Sequence, residues 1–270
     1  MKHRIRISLG SVWEEAIGFA RAELGLLLPL ALLGFGLPMV AMLLAVPMEA
    51  AATSTLKPGP WMLWLVPCGL ISMLGSIAVS ALVLTPGISV RESIMVAIAR
   101  FPAAIGLLLL YVGVQVVLAI PLALATLIDQ RVSGGAGPIA MLVNLLDIAL
   151  MIWLFVRILP IWAVLADRSQ SPMAAVRTAF RLTRGCYARL LALRIVMAVA
   201  ATIAMLVLLI PIGAVAQLIG LATGNTQVST ILSFVATGVV AAAVVGLWTV
   251  YVARLYRALE VATGEPISGI

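Results

Sequence analysis

The order of apolar and polar positions divides the chain into six long apolar runs: Leu24 to Val46, Trp61 to Leu84, Ala103 to Leu127, Ile139 to Ala166, Leu190 to Leu218 and Ile231 to Tyr251. A helix needs roughly 20 apolar residues to cross a hydrocarbon core of about 30 Å, so each run predicts one membrane-spanning helix. Barrel strands would alternate polar and apolar residues instead. The predicted fold class is therefore all-α, a single integral membrane domain over residues 1–270. Pro29, Pro38, Pro67, Pro121 and Pro211 fall inside these runs and predict kinks or breaks.

The connections between runs are of two alternating kinds. Those after the first, third and fifth runs (Pro47 to Pro60, Ile128 to Pro138, Ile219 to Thr230) are short, rich in Gly, Pro, Ser and Thr, and carry only Lys57 and Arg131 as basic residues. The others hold Lys2, Arg4, Arg6 and Arg21, then Arg91 and Arg100, then Arg168, Arg177, Arg181, Arg184 and Arg189, and finally Arg254 and Arg257. By the positive-inside rule the basic segments and both termini are expected in the cytoplasm, as an even number of spans requires. Met1 to Arg6 is basic, but Glu14, Glu15, Arg21 and Glu23 precede the first run, so no cleaved signal peptide is expected.

A second regularity precedes each odd-numbered run. Ser11-Val-Trp-Glu14 and Ser89-Val-Arg-Glu92 match the capping box, and Ser171-Pro172 places the favoured proline after a capping serine. These starts suggest three repeated units, at residues 8–84, 88–166 and 169–257, each an interfacial helix followed by a membrane hairpin.

The segment Asp167 to Arg194 is the most distinctive stretch. Its first half predicts a helix from Pro172 to Arg184, stopped by Gly185. On a helical wheel Arg177, Arg181 and Arg184 share one narrow side, opposite Ala175, Val176, Ala179, Phe180 and Leu182. Such a helix lies in the membrane plane with its arginines toward headgroups or cytosol. The plain reading is that these arginines fix topology. The functional reading is that Arg177, Arg181, Arg184 and Arg189 bind an anionic lipid headgroup or an acidic partner, since guanidinium suits phosphate bidentately.

Composition agrees with a membrane protein: 64% of residues are hydrophobic and 10% charged, with a mean hydropathy of +1.22. In so apolar a chain the net charge of +7 points to anionic headgroups rather than nucleic acid. All but Lys2 and Lys57 of the 17 basic residues are Arg, which fits a bacterium with a GC-rich genome. Cys68 and Cys186 lie in different settings and are expected to be free thiols.

Arg157-Ile-Leu-Pro160 with Leu165-Ala-Asp167, Ser171-Pro-Met-Ala-Ala175, Phe180-Arg-Leu-Thr-Arg-Gly185 and Leu190-Leu191 resemble a known group. It comprises the six-helix membrane domain attached to some bacterial glycerophosphoryl diester phosphodiesterases and the stand-alone inner-membrane proteins of the YciC-like type. The resemblance implies a multi-pass protein of the bacterial inner membrane. In that group the phosphodiesterase occupies a separate barrel domain, for which this chain has no room.

No Gly-rich phosphate loop, no metal-ligand spacing of His and Cys, and no triad that the single histidine, His3, can complete is present, so no cofactor, metal or hydrolase chemistry is expected. Within the fourth run Asn144, Asp147 and Arg157 are the polar candidates. Asn144 and Asp147 share a face that would line a transport path, whereas the structural reading has Arg157 snorkelling to the headgroups. Gln115 and Gln217 are expected to make interhelical hydrogen bonds, and Trp61, Trp64, Trp162, Tyr251 and Tyr256 to mark membrane boundaries.

Two functions compete: a non-enzymatic protein that engages anionic lipids or envelope partners through its basic helices, and a transporter or permease subunit built around Asn144 and Asp147. An ABC-type permease is only partly echoed, by Ala174-Ala175. A membrane-embedded lipid enzyme has the least support, because Asp147 is the one acidic residue deep in an apolar run.

Overall fold

A computed structural model of the protein describes residues 9–46, 59–133 and 137–263. The expected basic N-terminal residues up to Arg6 and the loop carrying Lys57 lie outside these. The described chain forms helices α1 (Leu9–Ala22), α2 (Leu24–Ala45), α3 (Leu65–Leu84, entered through a 3-10 turn at Pro60–Trp64), α4 (Val90–Ser133), α5 (Pro138–Arg157), α6 (Ile161–Asp167), α7 (Pro172–Leu182), α8 (Tyr187–Thr223) and α9 (Thr226–Thr263). Among the described residues six helical stretches are long and apolar enough to cross a membrane, one from each apolar run; α5 and α6 together make the fourth.

The ends depart from the sequence reading in a consistent way. At 1.5 Å per residue, α4 with 44 residues is about 66 Å long, roughly twice a hydrocarbon core. The amphipathic turn expected to lie apart before the third span is therefore continuous with it, with Pro102 inside the helix. The capping box that starts α4 does form: the Ser89 amide donates to Glu92 Oε2 at 2.8 Å, and the Glu92 amide to Ser89 Oγ at 3.3 Å. Ser11, by contrast, sits inside α1 rather than at its cap, because that helix has already begun by Leu9. Helices α4 and α8 run unbroken through Pro121 and Pro211. One interruption, a π-turn over Leu32–Gly36 in α2, falls between the expected Pro29 and Pro38, whereas the other, at Ile158 to Pro160 between α5 and α6, falls at none of the five prolines.

The core gathers around α2, α3 and α9, while α4, α5 and α8 surround it with exposed apolar residues such as Val117, Leu146 and Val207. Lipid hydrocarbon offers no hydrophobic drive between helices, so close backbone approach has to supply the attraction. Small residues permit it: Gly34 of α2 abuts Gly75 of α3, and Gly36 lies against the Gly238 carbonyl and Ala242 of α9. Further along α9, Gly246 meets Ala31. Helix α1 packs on the other end of α9 through Trp13 against Tyr251, ring centroids 5.8 Å apart, and Phe19 beneath the Arg254 guanidinium. Tyr251 and Tyr256 are fully buried inside the bundle, and α9 continues past them to Thr263.

At the basic end, Arg257 donates from Nη2 to the Leu84 carbonyl at 2.7 Å, closing the C-terminus of α3. At the opposite end the connections are tighter than expected. Helices α8 and α9 are joined through Gly224 and Asn225, and α4 extends to Ser133. There the buried Asp129 accepts from the Ala140 amide at 2.7 Å and caps the N-terminus of α5.

Candidate functional site

The basic helix α7 starts as its sequence dictates but ends at Leu182, so that Arg184, expected as its last residue, lies in the closing turn. Ser171 Oγ accepts from the Ala174 amide at 3.4 Å, Pro172 takes the first helical position, and Gly185, at φ +89°, adopts the left-handed conformation that ends the segment. Ala175, Thr178, Ala179 and Leu182 are buried, and Pro172 is set against Gly106 of α4, so one side of α7 is fixed to the bundle. Arg177, Arg181, Arg184 and, on the first turn of α8, Arg189 are all exposed. The four form the arginine-rich surface of the basic end.

Arg157 does not reach outward as expected. Its guanidinium lies 5.7 Å from the ring centre of Trp153, 6.0 Å from Phe180 and 5.8 Å from Tyr187. The helix break after Arg157 turns the chain back so that α7 and the start of α8 bring two of these rings around it. An aromatic box of this kind holds a cation by the ring quadrupoles.

A second polar cluster, not singled out in the sequence, lies behind α7. Glu260 of α9 has no exposed surface, and its Oε1 accepts from Arg168 Nη2 at 2.7 Å and from the Tyr256 hydroxyl. The Asp167 carboxylate oxygen Oδ2 stands 3.0 Å from that hydroxyl and 3.6 Å from Arg168 Nε. Burial works against the Arg168 charge, but the hydrogen bond to Glu260, together with the Tyr256 oxygen and the Glu260 charge, more than offsets it and raises its pKa above the ordinary guanidinium value. The signal in the sequence was slight: Tyr256 and Glu260 are spaced i, i+4 on an otherwise apolar helix face, with Arg168 about ninety residues away.

The intramembrane candidates are not brought together in a cavity. Asn144 is exposed on α5, and Asp147, midway along that helix, is half-buried with its Oδ1 lacking a hydrogen-bond partner. Gln217 is exposed, and the buried Gln115 Oε1 likewise has no partner, so the interhelical bonds expected of both glutamines are not made there. Cys68 and Cys186 are free and buried, as expected.

A cavity of about 560 Å³ does open among α3, α4, the α5–α6 break, Val176 of α7, α8 and α9, lined mainly by apolar side chains and excluding Asn144 and Asp147. Arg194 of α8 is the one charged residue in its wall. Comparison of the chain with protein-family models, with curated proteins and with solved structures found no match.

Proposed function

We propose that this six-span membrane protein is a non-enzymatic component of a bacterial inner membrane, with both termini cytoplasmic, that engages anionic lipids through the arginine surface of α7 and the start of α8. The observation that supports this is the division of α7 into a buried side and an exposed side bearing Arg177 and Arg181, with Arg184 exposed in the turn that follows the helix. A helix needed only to cover the bundle has no use for two cations in register and a third in the turn that closes it. Near an anionic surface each contributes about 1 kcal/mol, and the fixed backbone presents them with only the side chains left to order. The charge asymmetry between the two ends of the bundle supports the cytoplasmic assignment.

The test is native mass spectrometry of the protein released gently from membranes, with Arg177, Arg181 and Arg184 changed together to Gln for comparison. Anionic phospholipid carried by the wild type and lost from the variant supports the reading. Unchanged lipid, or loss of an acidic protein instead, rejects it.

A further inference from the structure

We propose that the cavity beside Arg194 is a binding site for one acyl chain of an anionic phospholipid from the leaflet at the basic end, with the lipid phosphate on the Arg194 guanidinium. The site is separate from the surface of α7, and its occupancy does not depend on that surface.

Three observations carry this. The first is charge. Arg194 is half-buried, and its guanidinium lies 5.3 Å over the Trp248 ring, yet no carboxylate pairs with it among the described residues. A partly desolvated cation in a membrane protein is costly unless an anion accompanies it, and the wall of the cavity supplies none. A phosphodiester supplies one, in the geometry guanidinium favours.

The second is depth. Helix α8, with 37 residues, is about 56 Å long, so a turn or more at each end projects beyond a hydrocarbon core of about 30 Å. Arg194 follows the start of α8 at Tyr187 by seven residues, about 10 Å, which sets it at headgroup level. From there the wall on α3 runs from Ser80 through Ser76 and Met73 to Gly69, one face of the helix over about 16 Å. That is close to half of a 30 Å core, the depth of one leaflet.

The third is dryness. The hydroxyls of Ser76, Ser80 and Thr249 donate to carbonyls of their own helices at 2.9, 2.7 and 2.8 Å. These three hydroxyls therefore present an acyl chain with no unsatisfied hydrogen.

The experiment uses the full chain in detergent and native mass spectrometry at activation energies that strip loosely held lipid. Dipalmitoyl phosphatidylglycerol, dipalmitoyl phosphatidylcholine and palmitate serve as separate probes. The expected result is one retained phosphatidylglycerol, with retention about tenfold weaker in Arg194→Gln, the loss of one charge-assisted contact. A Cβ on Gly69 meets no atom within 4 Å, so Gly69→Leu intrudes on the cavity from its deep end and should weaken retention even if Arg194→Gln does not fold. The Arg177, Arg181 and Arg184 triple variant should keep its one tight lipid, so this site and the α7 surface fail or stand separately. Equal retention of phosphatidylcholine, preference for palmitate, or full retention in Gly69→Leu would each overturn the proposal.

Discussion

Gly34 and Gly75 meet backbone to backbone: a Cβ built on Gly34 would lie 2.7 Å from the Gly75 Cα, and one on Gly75 would lie 2.6 Å from the Gly34 Cα. Neither distance is sustainable, so a side chain at either position must force α2 and α3 apart. Gly34→Ala and Gly75→Ala should each destabilise the bundle by about 1–3 kcal/mol, and the two together by less than the sum, since one separation serves both. Thermal unfolding in detergent checks this; wild-type stability in either single variant refutes the contact.

The buried cluster at Glu260 leads to a second prediction. Arg168→Gln removes the cation and leaves a carboxylate with no exposed surface unpaired, which should cost about 3–5 kcal/mol. Tyr256→Phe removes the hydroxyl shared by Glu260 and Asp167 and should cost about 1–3 kcal/mol. Replacing both charges, as Arg168→Met with Glu260→Leu, should recover most of the loss. A double variant no better than Arg168→Gln would show that the pair does not act as a unit.

Asp129 links two spans through a single cap. Asp129→Ala should free the Ala140 amide and cost about 1–2 kcal/mol, whereas Ser171→Ala, at an exposed cap with a longer bond, should cost less. Hydrogen exchange at the first turn of α5 reads the difference directly, and equal protection in Asp129→Ala and wild type would count against the cap.

The exposed arginines of α7 should behave in the opposite way. Arg177, Arg181 and Arg184 changed to Gln should leave stability within about 0.5 kcal/mol of wild type per site, while Arg157→Gln should lose about 0.5–2 kcal/mol through its aromatic box. A large loss in the triple variant would assign the surface to folding rather than binding.

Cysteine accessibility tests the sidedness. A cysteine at Arg177 should react with an impermeant maleimide only in inverted vesicles, and one at Gln227 only in right-side-out cells; the native Cys68 and Cys186, both buried, should react slowly in either. The reverse pattern would invert the topology.

The six spans were legible because each has to supply about 20 apolar residues in a row, a demand no soluble element makes. Their ends were not, since past the hydrocarbon the same helix continues as an amphipathic one, as from Val90 into the third span or from Tyr251 to Thr263. Local capping chemistry was legible at Ser89 and Ser171, where a proper cap follows a turn; at Ser11 the same pattern occurs within a helix. The candidate arginines of α7 were found by periodicity. Arg194 was not, because a lone arginine near a helix start resembles a topology signal until Trp248 and the cavity are placed beside it. The Arg168 and Glu260 pair depends on contacts across the whole fold, which no short window of sequence contains.

The packing of α9 against α2 bears on how the protein is made. During synthesis α2 enters the membrane first of the six spans and α9 last, yet Gly36 faces Gly238 and Ala31 faces Gly246. Throughout insertion of the four intervening spans the small-residue side of α2 stands open to lipid or to whatever insertion factor holds it. A ribosome stalled before α9 would leave an inserted but unclosed protein, whose exposed glycine seam is the feature a membrane quality-control protease can recognise.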